Sequence, residues 1–331
     1  MTLIRSAEQQ QFASSLHDLL AAADVPGAAR RWAGGDHSPG LALWRKLAGV
    51  GVTALAVPPG SGGLGAGLAD VVVACEELGH HAVPGPVAES AAAVPELITA
   101  LADDRLSARW LPGLAAGDLI ATLALPPWLP YATDADAAGL ILLAEPGAVR
   151  LATAGTRHRS VDPARSLSQA LGGEVLAHGP AVAGAVARAR EAGTVACAAQ
   201  LLGAGRALLE ASVLHARQRS QFGRPIGSFQ AVKHQLADVA IGLEFARPLL
   251  GEAAVTLTPR DVSAAKVACT GAAQRAARAA LQVHGAIGYT QEHDLHLWLT
   301  KVRALAGAWG SQAGHRARVV AAIADGGLAW N

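Results

Sequence analysis

The sequence predicts an α+β chain, mainly α, built as helices, then a small sheet, then a helical bundle. Three observations carry that reading. Apolar residues recur at helical spacing over residues 1–118 and again over 188–331. Short apolar runs bounded by Pro, Gly and Asp fill residues 119–187 and read as strands. Finally, 51% of the 331 residues are apolar, enough to bury a large core. The expected divisions are therefore 1–118, 119–187 and 188–331.

In the first part, Phe12, Leu16, Leu19 and Leu20 mark a helix from Ser6 to Ala23. Leu43, Trp44, Leu47 and Val50 mark a second from Leu41 to Val50. A loop dense in Gly and Pro, Val57 to Gly65, separates these from a helix over Leu68–Leu78. Gly79 is expected to end that helix as a C-terminal glycine. Pro84 and Pro86 break the chain again, and a helix is expected over Ala88–Leu101. The strands expected in the second part are Ile120–Leu125, Gly139–Leu143 and Ala148–Ala152. The third part opens with an Ala/Leu-rich helix, Ala187–Gln218, whose few polar residues imply burial on several sides. Helices over Phe229–Leu250, Asp261–Val283, Asp294–Ala304 and His315–Ala324 complete it.

Charge excludes some functions. Lys and Arg number 27 against 26 for Asp and Glu, so there is no electrostatic footprint for nucleic acid and no basic face for an anionic membrane. The most apolar stretch, Ala192–Gly205, is shorter than the ~18 residues of a spanning helix and contains Gln200. The first ten residues have no apolar signal-peptide core. Cys75, Cys197 and Cys269 lie far apart, which argues against a disulfide framework or a zinc ribbon and makes the cytoplasm the expected location. His80–His81 and the His293/His296 pair lack a third ligand in any recognisable pattern, so no metal site is expected.

Two polar stretches stand out against this apolar background. Arg217–His234 is a glycine-punctuated turn between two helices, with Arg219, Gln221 and Gln230 as clustered donors. An arginine fork suits a diphosphate, and the same turn could equally be a solvated corner. Gln282–Tyr289 follows the third long helix of the last part, and Gly285 and Gly288 there allow close backbone approach or simply cap the helix.

Together these stretches resemble the acyl-CoA dehydrogenase family. Arg219, Phe222, Gly223, Ile226, Phe229 and Gln230 meet its R-x-x-F-G-x-x-I-x-x-F-Q pattern. Gln282, Gly285, Gly288 and Tyr289 meet Q-x-x-G-G-x-G-Y/F, with a departure at Ala286, where the family has a second glycine. Gly51–Gly65 and Glu76–Gly79 look like the family's N-terminal domain. The resemblance implies a helical N-terminal domain, a small β domain and a C-terminal four-helix bundle, assembled as a tetramer with FAD. It also implies that the ADP half of each FAD is held by a neighbouring subunit. Carried over, Arg219, Gln221, Phe222 and Gln230 would form one wall of that grip. Gln282, Val283, His284, Gly285 and Ala286 would form the other.

The departures shape the functional expectation. The family's E-P-x-A-G-S-D-like segment, which flanks flavin and acyl-CoA, is absent from Ala124–Asp136, and the β domain is short. The two places where relatives keep the catalytic glutamate read Trp309–Gly310 and Gly193–Thr194. Glu191 and Glu292 are the closest carboxylates, expected as a helix N-terminal charge and as a solvated or interface charge. No catalytic residue is thus expected in this chain. It resembles the shortened, base-lacking subunit of actinobacterial α2β2 acyl-CoA dehydrogenases. That implies a partner dehydrogenase subunit holding most of the acyl-CoA, with a steroid-derived or other unusual acyl group, and an electron-transfer flavoprotein as electron acceptor. The alternatives are a self-sufficient homotetramer with a displaced base, or a flavin-free helical scaffold.

Overall fold

The computed structural model describes residues 5–145, 147–290 and 293–325. α1 (Ala7–Ala21) opens on a capping box in which Ser6 Oγ accepts from Gln9 N and Gln9 Oε1 accepts from Ser6 N. α2 (Val25–Ala33), which apolar spacing does not reveal, is capped by Asp24 and buries Trp32. α3 (Ser38–Gly49), α4 (Leu68–His80), α5 (Val94–Ala100) and α6 (Asp104–Ala116) complete the N-terminal helices, with a π-turn over Glu89–Ala93 leading into α5.

The sheet joins β1 (Ala121–Ala124), β2 (Ala132–Thr133), β3 (Leu140–Glu145), β4 (Ala148–Arg159) and β5 (Ser166–His178) in the order β1-β3-β4-β5-β2. β1 and β3 run parallel, with Ala121 opposite Leu140, and the other pairs are antiparallel. β4 outruns its expected end at Ala152, and β5 is a strand that apolar patterning misses. Its stretch from Gly172 to Val175 is exposed, so no buried face imposes an apolar alternation there.

The bundle comprises α7 (Pro180–Gln218), α8 (Gln230–Thr256), α9 (Pro259–His284), α10 (Leu295–Gly307) and α11 (Gln312–Asp325). α7 begins at Pro180 rather than Ala187. Gly179, at φ 108°, turns the chain out of β5, and a proline is well placed in a first helical turn because it needs no N–H partner. By length and composition α7 could cross a membrane, but 83% of its most apolar window is buried inside the protein. Every residue from Glu191 to Gly205 is buried, so α7 is the central helix of the bundle.

Glycines set how closely its neighbours approach. Gly79 lies inside α4, not at its end, and His81 is the cap residue. A methyl on Gly79 would overlap the backbone of Gln200, and one on Gly203 would overlap the carbonyl oxygen of Glu76. α4 and α7 therefore cross with backbone on backbone. Gly184, at the open end of α7, has nothing near the place of a methyl. Two substitutions in one helix should thus have opposite signs. Gly184→Ala should stabilise by about 0.5–1 kcal/mol through helix propensity. Gly203→Ala should destabilise by about 1–3 kcal/mol or more through overpacking. Chemical denaturation of both variants checks this, and equal effects would refute the backbone crossing.

Candidate functional site

The first polar stretch forms an outward-facing corner. After α7, Ser220–Gln221 pairs antiparallel with Arg224–Pro225, and Phe222 and Gly223, both at positive φ, make the two-residue turn between them. Ile226 N donates to Arg219 O at 2.8 Å and closes the base of this hairpin. The side chains of Arg219, Gln221 and Gln230 are exposed, and Phe222 is 90% exposed at the tip. Arg224 lies over the Phe229 ring at 4.1 Å, which steadies the start of α8.

The second stretch lies alongside. α9 ends at His284, and Gly285 follows at φ 64° with open space about it. Gln282, Gly285 and Ala286 are exposed, Val283 is half-buried and His284 is buried. His284 Nδ1 donates to Ala280 O at 2.8 Å, and its ring stacks on His215 of α7 at 4.3 Å between centroids. Burial holds both imidazoles below their usual pKa, so neutral rings face each other. His284 is therefore the inward joint between the two walls, while the donors on either side point out. Ala286 is not among the residues at positive φ, so the missing family glycine leaves no backbone strain, only an added methyl. The Tyr289 side chain and Glu292 lie outside the described residues.

The interior differs. Trp309, at φ 56° and 1% exposed, lies against Gly193, where a methyl would overlap its indole. The two places where a base would be sought thus meet in space, and the indole fills the room between them. Gly310, at φ 95°, is pinned between the Trp128 ring and His315, and His315 Nε2 donates to Trp309 O at 2.8 Å. The cavity beside Trp309 measures about 10 Å³, and its lining includes Glu89, Thr133, Arg165, Gln200, Lys301 and Trp309. That is room for about one water.

Glu89 is a functional-looking carboxylate that no sequence pattern singles out. Thr133 Oγ1 donates to its Oε1 at 3.1 Å, and Arg165 Nη2 donates to Thr133 Oγ1 at 2.9 Å. Burial pushes the Glu89 carboxyl above the usual range, against the pull of Arg165. Lys301, also buried, donates to Val83 O at 2.9 Å, and burial pulls its ammonium below the usual range. Glu89, Thr133 and Arg165 satisfy one another, and Val83 O satisfies Lys301, around a space too small for a thioester.

Glu191 sits in mid-helix, because α7 starts upstream of it, and so is not a charge at a helix N-terminus. It is buried and paired with Arg318 at 2.6 Å and Arg190 at 2.7 Å, both of which also face the Trp128 ring. His293 Nδ1 accepts from Leu295 N, and His296 Nδ1 donates to His293 O, so each serves local backbone. All three cysteines are free and buried.

The acyl-CoA dehydrogenase N-terminal domain model matches residues 6–118 and the C-terminal domain model residues 183–324. The acyl-CoA dehydrogenase IpdE2 of Mycobacterium tuberculosis is 34% identical over 302 residues, covering 89% of this chain and 90% of that protein. The chain belongs to the acyl-CoA dehydrogenase family. Its fold matches a glutaryl-coenzyme A dehydrogenase in complex with glutaryl-CoA (TM-score 0.87, 18% identity, 98% and 97% of the two chains). It also matches the ChsE4–ChsE5 complex of M. tuberculosis (TM-score 0.82, 24% identity, 98% and 99%). The family matches leave the sheet region between them, where this chain departs most.

That region holds a testable charge. Asp134 is fully buried, accepts from Ser166 N at 2.7 Å through Oδ1, and is pushed up to about 7 by burial. A carboxyl raised in the folded state favours folding while protonated and loses that contribution as pH rises from about 4 to about 7. Asp134→Asn keeps the Oδ1 acceptor and should flatten this loss, by up to about 4 kcal/mol at neutral pH. Urea titrations across that range check it, and parallel stability curves for the two proteins would refute it.

Proposed function

We propose that this chain is a non-catalytic subunit of a heteromeric, FAD-dependent acyl-CoA dehydrogenase that forms a Cα–Cβ double bond in a CoA thioester. The observation that carries the reading is the contact of Trp309 with Gly193. Abstraction of the α-proton needs a positioned base of suitable pKa and a polarised carbonyl. An indole and a glycine offer no base. Glu191 is committed to Arg190 and Arg318, and Glu89 faces only a water-sized space.

The residues present fit one half of FAD and not the other. The space beside Trp309 and Gly193 has no room for an isoalloxazine ring, whereas the exposed corner offers a charged fork, amides and a free glycine backbone. When bound in the partner's site, FAD supplies the hydride acceptor for the reaction. This chain's part is to hold the pyrophosphate: Arg219 provides charge and paired N–H donors, and Gln221, Gln230 and Gln282 provide neutral donors. Gly285 lets the backbone come close, and Ala286 keeps the ligand a methyl further away. Phe222, on its strained tip, would be covered by the partner. In this reading the partner selects the acyl group and electrons leave to an electron-transfer flavoprotein. The fold match to a two-component complex supports a partner of the same family. Free, buried thiols suit a reducing cytoplasm.

Two measurements test the proposal. The isolated chain, supplied with FAD, CoA thioesters and an artificial electron acceptor, should show no turnover, and the co-expressed partner should restore it. Robust turnover by the isolated chain would mean that a displaced base operates here. In the complex, Arg219→Ala should weaken FAD retention roughly 10–150-fold, the equivalent of one charge-assisted hydrogen bond of about 1.5–3 kcal/mol. Unchanged FAD content after dialysis, with the complex intact, would remove Arg219 from the grip.

A further inference from the structure

Away from the flavin corner, α1, α4 and α7 bring together a second set of functional side chains. His17, His80 and His81 form a near-equilateral triangle, with ring centroids 5.1, 4.7 and 4.9 Å apart, and Glu77 lies against it. One ligand atom from each of the four residues lies within 4.8 Å of all the others. His17 Nδ1 is 3.2 Å from His81 Nε2 and 3.3 Å from Glu77 Oε2. Those spacings equal the edge of a tetrahedron with bonds of about 2.0–2.1 Å, roughly 3.3 Å.

We propose that His17, Glu77, His80 and His81 bind one divalent transition-metal ion of the zinc class. The groups around the four make the case beyond proximity. His80 Nε2 is 2.8 Å from Glu210 Oε2. A carboxylate accepts, so Nε2 is the donor to Glu210 and Nδ1 is the nitrogen left to meet a cation. That Nδ1 is buried and has no hydrogen-bond partner among the described residues. A carboxylate orienting an imidazole whose other nitrogen is left unsatisfied is the outer-sphere arrangement of metal-bound histidines. Glu77 is oriented in the same way: Arg206 Nη1 donates to Oε1 at 3.0 Å and leaves Oε2 toward His17. His17, with its side chain 40% exposed, gives the cation a way in.

Three imidazoles and one carboxylate fill four positions, so the site would be structural, tying α1 to the end of α4. Its existence does not depend on the flavin reading. The test uses the tag-free full-length chain, with any partner that co-purifies, stripped by a chelator. Zn²⁺ titrated by calorimetry should bind once per chain, and Co²⁺ should give the visible bands of a four-coordinate ion. His17→Ala and His81→Ala should each abolish stoichiometric binding, while His293→Ala, outside the cluster, should retain it. Glu210→Gln removes no ligand and should weaken Zn²⁺ about 10–100-fold. Circular dichroism establishes that each variant is folded. If a ligand variant fails to fold, Glu210→Gln alone decides. No uptake in excess Zn²⁺, or uptake unchanged in His17→Ala or Glu210→Gln, would overturn the proposal.

Discussion

The close crossing of α4 and α7 is the constraint on which the rest of the molecule depends. Gly79 and Gly203 let two backbones touch, and that contact carries Glu76 and Glu77 into the interior. Burial alone would raise the Glu76 carboxyl, yet Arg247, Arg5 and Arg206 hold it below the usual range. These arginines come from α8, the segment before α1, and α7, so one buried carboxylate ties three parts of the chain to α4. Removing a single partner from such a cluster is far costlier than the cluster's net contribution, because it strands a desolvated charge. The arrangement therefore specifies how the N-terminal helices sit on the bundle more than it stabilises them.

The same small-residue character that lets α4 approach also decides what happens further up α7. At Gly193 the helix again presents no side chain, and here the visitor is the indole of Trp309 rather than a backbone. A glycine opposite a carboxylate would leave a pocket. A glycine opposite tryptophan makes a packed core, and the buried polar groups nearby close on each other around a water-sized void. Packing fills the space beside Gly193, while the donors at the end of the bundle remain exposed.

Local signals in the sequence told much of this and nonlocal ones did not. Phe12, Leu16, Leu19 and Leu20 announce α1 because helical spacing is written within a few consecutive turns. The corner around Arg219 is likewise contiguous, so its pattern could be read directly. Gly79 could not be, since a capping glycine and a packing glycine look the same until the opposing helix is known. β5 was hidden because an exposed strand needs no apolar alternation. Trp309 and Gly193, or His17 and Glu77, are distant in sequence and meet only through tertiary packing. Each residue looked innocuous alone, and Glu191 was read as a helix-end charge only because the start of α7 was placed too late.

Nothing in the packing of the core requires the exposed donors of the corner. The corner is costly to keep in isolation: a phenylalanine 90% exposed, at a positive φ that disfavours it, beside solvated arginines and amides. None of those side chains supports the core, and the joint that holds the two walls together is made by His215 and His284 on the inner side. Strain and apolar exposure at a tight turn persist where something outside the chain offsets them. In this molecule packing fills the space beside Gly193, and the exposed donors sit at the end of the bundle. A bound pyrophosphate and the covering surface of a second subunit are what would make that corner favourable.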